Sequence, residues 1–170
     1  MASNVQSAIN SLMAYIPGVE SNARYSEIYE ANCHKIYSLA FWMTDNELAA
    51  EELSSNTFLR AFANVAEPTT EQIDRAFLAE IRELTAIGSL TLNCATSPET
   101  QNIYGTIKRI HLERALVQLP ATEKLVFLLH DVEGYKHERI ARLLGLTEEE
   151  SRTGLHQARV QIRNLVAQMS

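Results

Sequence analysis

The sequence predicts an all-α protein made of two small helical domains joined by a linker, and three observations carry that prediction. Apolar residues recur at intervals of three and four along most of the chain, and no stretch alternates like a half-buried strand. The 170 residues include only 6 Gly and 4 Pro, so helix-breaking positions are few and each marks a boundary. The charge also changes along the chain: residues 1–105 carry 5 Lys or Arg against 13 Asp or Glu, whereas residues 106–170 carry 10 against 8. The two halves are therefore suited to different partners.

The elements follow in order. Val5, Ile9, Leu12, Met13 and Ile16 form a helical stripe that stops at Pro17-Gly18, which predicts an N-terminal helix within an extension over residues 1–22. From Tyr25, the positions Ile28, Tyr29, Ile36, Tyr37, Ala40 and Phe41 mark a second helix ending near Thr44-Asp45. Asp45 is the expected cap of the next helix, in which Leu48, Leu53, Phe58, Leu59 and Phe62 keep the period to about Val65. Pro68 breaks it, and Thr70 is the expected cap of a fourth helix through Ile73, Phe77, Ile81 and Leu84. These elements make a bundle over residues 23–92. Residues 93–104 have loop chemistry from Asn93 to Thr100 and read as the linker, and residues 105–170 as the second domain. Helices are expected there at about 104–118, 122–131, 137–144 and 148–168, with breaks at Leu119-Pro120 and Glu133-Gly134 and the last cap at Thr147.

With 46% hydrophobic and 21% charged residues, the composition is that of a folded soluble chain, not a disordered one. No apolar run approaches the roughly 20 residues of a membrane span, and residues 1–10 lack a basic start followed by an apolar block, so no membrane insertion and a cytoplasmic location are expected. Cys33 and Cys94 lie far apart without a partner Cys or His at a metal-ligand spacing, the adjacent Cys33 and His34 pointing about 100° apart on a helix, so they read as reduced thiols. Enzyme signatures are missing: there is no Gly-rich phosphate loop, no nucleophile elbow and no zinc-helix His pair. His34, His111, His130, His137 and His156 are scattered, and the pairs Glu51-Glu52 and Glu148-Glu149 diverge on their helices. No catalytic residue, metal site or cofactor is expected.

The most informative segment is the C-terminal helix pair. Ile140, Ala141, Leu143 and Leu144 fall on one side of a helix, Gly145 suits the turn, and Leu146 packs under the helix that follows Thr147. This is the pattern of a helix-turn-helix, whose second helix can enter a DNA major groove. Arg152, His156, Arg159 and Arg163 recur near one face of that helix, as a phosphate-binding stripe requires.

The run Ala115 to Pro120, then Glu123 to Leu129, Asp131 to Tyr135, Glu138 to Ala141, Leu144 to Leu146 and Leu155 to Arg159, resembles region 4 of the extracytoplasmic-function sigma factors. Upstream, Ile28-Tyr29 through Ile36 to Ala40, then Ala50 to Leu53 with Thr57 to Phe62, resembles region 2 of the same family. The two matches occur in the expected order and cover most of Arg24 to Val166. The resemblance implies an RNA polymerase sigma factor that binds core RNA polymerase and promoter DNA and is held by an anti-sigma factor. It assigns the polymerase surface to Glu51, Glu52, Leu53, Asn56 and Phe58, and DNA contacts to Arg139, Arg152, Thr153, His156, Arg159 and Arg163, with Arg75 and Arg82 in the first domain.

The sequence departs from the family pattern at the recognition helix. Glu148-Glu149-Glu150 open it, and Gly154 and Gln157 stand where basic residues are common, which predicts weakened DNA reading. In the first domain Leu84 stands where Asn is usual and Gly88 to Thr91 replace a basic cluster. These departures leave a second reading open, a sigma-like interaction protein that binds an anti-sigma factor or polymerase without reading DNA.

Overall fold

The computed structural model describes residues 19–92, 103 and 106–169, and its chain divides into two compact units, Met1–Glu83 and Leu84–Ser170. Among the described residues every regular element is helical. The expected N-terminal helix over Val5 to Ile16, Cys94 and all of the expected linker except Ile103 lie outside the described residues.

The first unit contains α1 (Val19–Thr44), α2 (Glu47–Asn64) and α3 (Thr70–Leu84). Helix α1 starts six residues before Tyr25 and ends as expected at Thr44, whose hydroxyl donates back to the Ala40 carbonyl. Asp45 is not the cap of α2. It takes φ +50°, a left-handed conformation that Asp tolerates, and the neighbouring Asn46 caps the helix by accepting from the Ala49 N–H at 2.9 Å. The start of α3 shows the same one-residue offset: Thr69, not Thr70, accepts from the Gln72 N–H while the Gln72 side chain accepts from the Thr69 N–H. In both cases the polar side chain that can reach back to an N–H three residues on wins the cap.

Helices α1 and α2 pack along each other, with Ile36, Leu39 and Ala40 meeting Leu53, Phe58 and Ala61 in a common core that also takes Ile73, Phe77, Leu78 and Ile81 from α3. The aromatic centre is Tyr29 edge-on to Phe58 at 4.8 Å, with Phe58 stacked on Phe62 and Phe62 against Tyr25. Ion pairs from two cations fix α3 to this layer. Lys35 of α1 donates to the nearly buried Asp74 at 2.7 Å, and Arg60 of α2 spans Glu80 and Glu83.

The second unit contains α4 (Arg109–Val117), α5 (Ala121–Phe127) followed by a π-helical turn (Leu128–Val132), α6 (His137–Leu144) and α7 (Glu148–Gln168). The expected helix over 122–131 is thus an α-helix that widens into a π turn in its last part. Helix α7 is the hub, packing against α4, α5 and α6. Gly145 ends α6 at φ +73° and lets the Leu146 N–H bond the Ala141 carbonyl, so a residue with a Cβ would be strained there. Thr147 then caps α7 in a reciprocal box with Glu150, whose carboxyl is held below the ordinary carboxylate range by the Thr147 N–H and hydroxyl.

The expected first domain over 23–92 is corrected at its end. The first unit stops at Glu83, and residues 88–92 are hydrogen-bonded to Thr122 and Glu123 inside the second unit, because Glu123 is a buried carboxylate that needs donors. Phe58→Ala, which removes the ring at the centre of the first core, should cost about 3–5 kcal/mol. Chemical denaturation followed through Trp42, the single tryptophan, measures it.

Candidate nucleic-acid interface

Helix α7 divides cleanly into two faces. At about 100° per residue, Arg152, His156, Arg159 and Arg163 fall within roughly 60° of one another. Ser151, Gly154, Leu155, Gln157, Ala158, Ile162 and Leu165 form the buried arc on the other side. Gly154 and Gln157 therefore do not deplete the cationic face, as the sequence reading expected: both point into the unit. The periodicity of Leu155, Ala158, Ile162 and Leu165 held this information.

The four groups of the cationic face are not equivalent. Arg152 is exposed and pairs with Glu148 one turn earlier at 3.1 Å, and Arg163 is exposed near the C-terminal end. His156 and Thr153 are half-buried on the flanks. Arg159 is committed elsewhere. Its Nε and one terminal nitrogen donate to the two oxygens of Asp131 at 2.9 and 2.7 Å, with the guanidinium side chain 11% and the carboxylate 0% exposed. Arg159, assigned to DNA by the resemblance, is thus largely covered and holds a carboxylate of its own unit.

The acidic opening of α7 is likewise absorbed. Glu150 serves the cap and Glu148 meets Arg152, while all three carboxylates of the run stay exposed to solvent. On α6, the Arg139 guanidinium lies 3.8 Å from the centre of the Tyr135 ring, a cation–π contact. Lys136, Arg139 and Arg142, with Glu133 and Glu138, line a pocket of about 390 Å³ beside it.

A cluster behind the interface ties these parts together. His130 Nδ1 donates to Asp131 at 2.8 Å, the rings of His130 and His137 stack at 4.5 Å, and His137 Nδ1 shares a hydrogen bond with the buried Ser151 hydroxyl of α7 at 2.9 Å. Burial pushes the His137 imidazole below its ordinary range, helped by His130, Arg152 and Arg159 and opposed by Glu148. No group of three or more potential ligands that could hold a metal occurs among the described residues.

In the first unit the residues expected to face a protein partner separate. Glu52 is exposed and Glu51 and Asn56 are half-buried on the outside of α2, but Leu53 and Phe58 are 3% and 1% exposed. Those two are core side chains and cannot anchor a partner. Leu48, which the sequence places in the apolar period of this helix, is instead 78% exposed and lies between Glu51 and Glu52 around the helix. On α3, Arg75 and Arg82 share the outer face opposite Ile73, Phe77 and Ile81, and Arg75 pairs with Glu71 at 2.8 Å.

Residues 109–162 match the family described as sigma-70, region 4. The chain is 27% identical over 161 residues to the ECF RNA polymerase sigma factor SigE of Mycolicibacterium smegmatis, covering 86% of this chain and 63%, just under two thirds, of that relative. It is 24% identical over 154 residues to the RNA polymerase sigma factor YlaC of Bacillus subtilis, covering 81% of this chain and 88% of that one. In fold it is similar to the sigma factor RpoE of Bartonella quintana, solved in complex with the anti-sigma factor NepR. That match has a TM-score of 0.60 at 16% identity and spans 84% of this chain and 96% of the other.

Two measurements check the cluster. Arg159→Ala leaves Asp131 buried without its cation, so the second unit should lose about 3–5 kcal/mol in the absence of any DNA, read by denaturation. Because the His137 pKa is lower in the fold than in the unfolded chain, neutral His137 contributes stability above about pH 6.5, and that contribution is lost as pH falls through the lower folded value. The melting temperature should therefore drop more steeply below pH 6.5 in the wild type than in His137→Gln.

Proposed function

We propose that this chain, which belongs to the extracytoplasmic-function group of the sigma-70 family, is a transcription initiation factor that binds core RNA polymerase and promoter DNA. It acts in the cytoplasm by binding and not by catalysis. The observation that carries the reading is the solvent face of α7, where Arg152, His156 and Arg163 line the second helix of a helix-turn-helix whose turn is the left-handed Gly145. A helix so placed enters the major groove and can set exposed arginines against phosphates or guanine edges. Thr153 beside that face and Arg139 on α6 are the further upstream contacts, and Arg75 and Arg82 on α3 supply cations for the downstream promoter element. None of the described helices is long and apolar enough to cross a membrane, which suits a factor acting on DNA in solution.

The polymerase surface, in this reading, is the outer side of α2, with Leu48 as the apolar anchor and Glu51, Glu52 and Asn56 around it. Buried apolar contacts supply affinity while rim carboxylates guide encounter with a basic partner. An anti-sigma factor would compete for surfaces of this kind. A second reading, an interaction protein that keeps the shape without reading DNA, is favoured by one feature: of the four groups on the cationic face, Arg159 is largely covered and held by Asp131 and Arg152 is engaged by Glu148.

Salt dependence separates the two. For a phosphate binder, affinity for a promoter fragment falls linearly in log–log form as counterions are taken up again. Arg152→Ala and Arg163→Ala should each weaken binding to all sequences and reduce that slope by about 1. A flat, weak response in the wild type selects the second reading. Leu48→Asp should weaken binding to core polymerase by about tenfold without changing the melting temperature, and reconstituted transcription from a cognate promoter should fall with it.

A further inference from the structure

The short segment between α3 and α4 is bolted to the second unit at three points. The Gly88 N–H donates to the Thr122 hydroxyl at 3.2 Å. The N–H groups of Thr91 and Leu92 converge on one oxygen of Glu123, at 2.5 and 2.7 Å, with the Thr91 hydroxyl at 3.3 Å. Between them the Leu90 side chain lies against Gly154 of α7, where the Val126 side chain of α5 also approaches. Two glycines make the fit possible. A Cβ on Gly154 would come within 2.8 Å of the Leu90 methyl, and one on Gly88, which has φ +116°, would press to 3.3 Å of the Leu144 carbonyl at the end of α6.

Glu123 is fully buried, and its second oxygen has no hydrogen-bond partner among the described residues. A carboxylate in such a place is costly unless donors reach it, and Thr91 and Leu92 supply three of them. Leu90 fills a slot that would otherwise be an apolar notch in the recognition helix. The segment Gly88–Leu92 is therefore more than a connection: it has the hydrogen-bonding and shape complementarity of a bound peptide.

We propose that Gly88–Leu92 is a detachable strap, docked in cis on a peptide-binding site of the second unit formed by Thr122, Glu123 and Val126 of α5 and Gly154 of α7. The site takes an extended segment with two successive free N–H groups for Glu123 and a leucine just before them for the notch. While docked, the strap lies across α5, α7 and the end of α6, on the side of α7 away from its solvent face. This explains why glycine stands at 154, in the middle of a helix where alanine is otherwise preferred.

Amide hydrogen exchange on the full chain tests it, and needs no DNA or polymerase, so its outcome stands apart from the promoter reading. Gly154→Ala fills the notch while favouring the helix, and Leu90→Ala empties it without touching the core. Each should speed exchange of the Thr91 and Leu92 amides by at least tenfold while the amides of α6 keep their protection. The double variant should exchange no faster than the faster single one, because both changes remove the same contact. Unchanged strap exchange in both single variants would overturn the proposal. So would loss of α6 protection in step with the strap, since the strap would then be inseparable from the fold.

Discussion

Asp131 is shut off from solvent, and Arg159 reaches it with two guanidinium nitrogens from the middle of α7. A buried carboxylate tolerates few alternatives, so this pair fixes both the rotation of α7 and the position of the π-helical turn that carries Asp131. Once α7 cannot rotate, the rest of the second unit follows. Gly154, Ala158, Ile162 and Leu165 face inward, and Arg152, His156 and Arg163 are left on the outside. The widened turn is what aims Asp131 at α7 and lets Tyr135 bond the Leu129 carbonyl before α6 begins.

The same group links the interface to its surroundings. His130 donates to Asp131, stacks on His137, and His137 reaches Ser151 on α7. The cationic face thus rests on a polar cluster. A cluster of that kind specifies one arrangement, since each member is satisfied in only one geometry. Sacrificing one arginine of a four-group stripe to this role costs a possible phosphate contact and gains a fixed orientation for the other three.

In the first unit the division of labour is between aromatic packing and ion pairs. Tyr25, Tyr29, Phe58 and Phe62 bind α1 to α2, and Lys35 with Asp74 and Arg60 with Glu80 and Glu83 set α3 on that layer. Burial of Leu53 and Phe58 in this core moves the exposed apolar position of α2 to Leu48. Capping chemistry placed the caps one residue from the expected Asp45 and Thr70, at Asn46 and Thr69.

By itself, the sequence determined the helical class, the order of the helices and the two-part division, because apolar periodicity and scarce breakers are local properties of the chain. The bounds of α6 and α7, the turn at Gly145 and the Thr147 cap were legible for that reason, and the inward position of Gly154 and Gln157 could have been read from the same period. What the tertiary structure alone decided was which polar groups were spent internally. That Arg159 is consumed by Asp131 28 residues away, that Phe58 is core, and that Gly88–Leu92 belongs to Glu123 and Gly154 all depend on contacts between segments far apart in the chain. A charge or a phenyl ring carries no mark of its partner until the fold brings the two together.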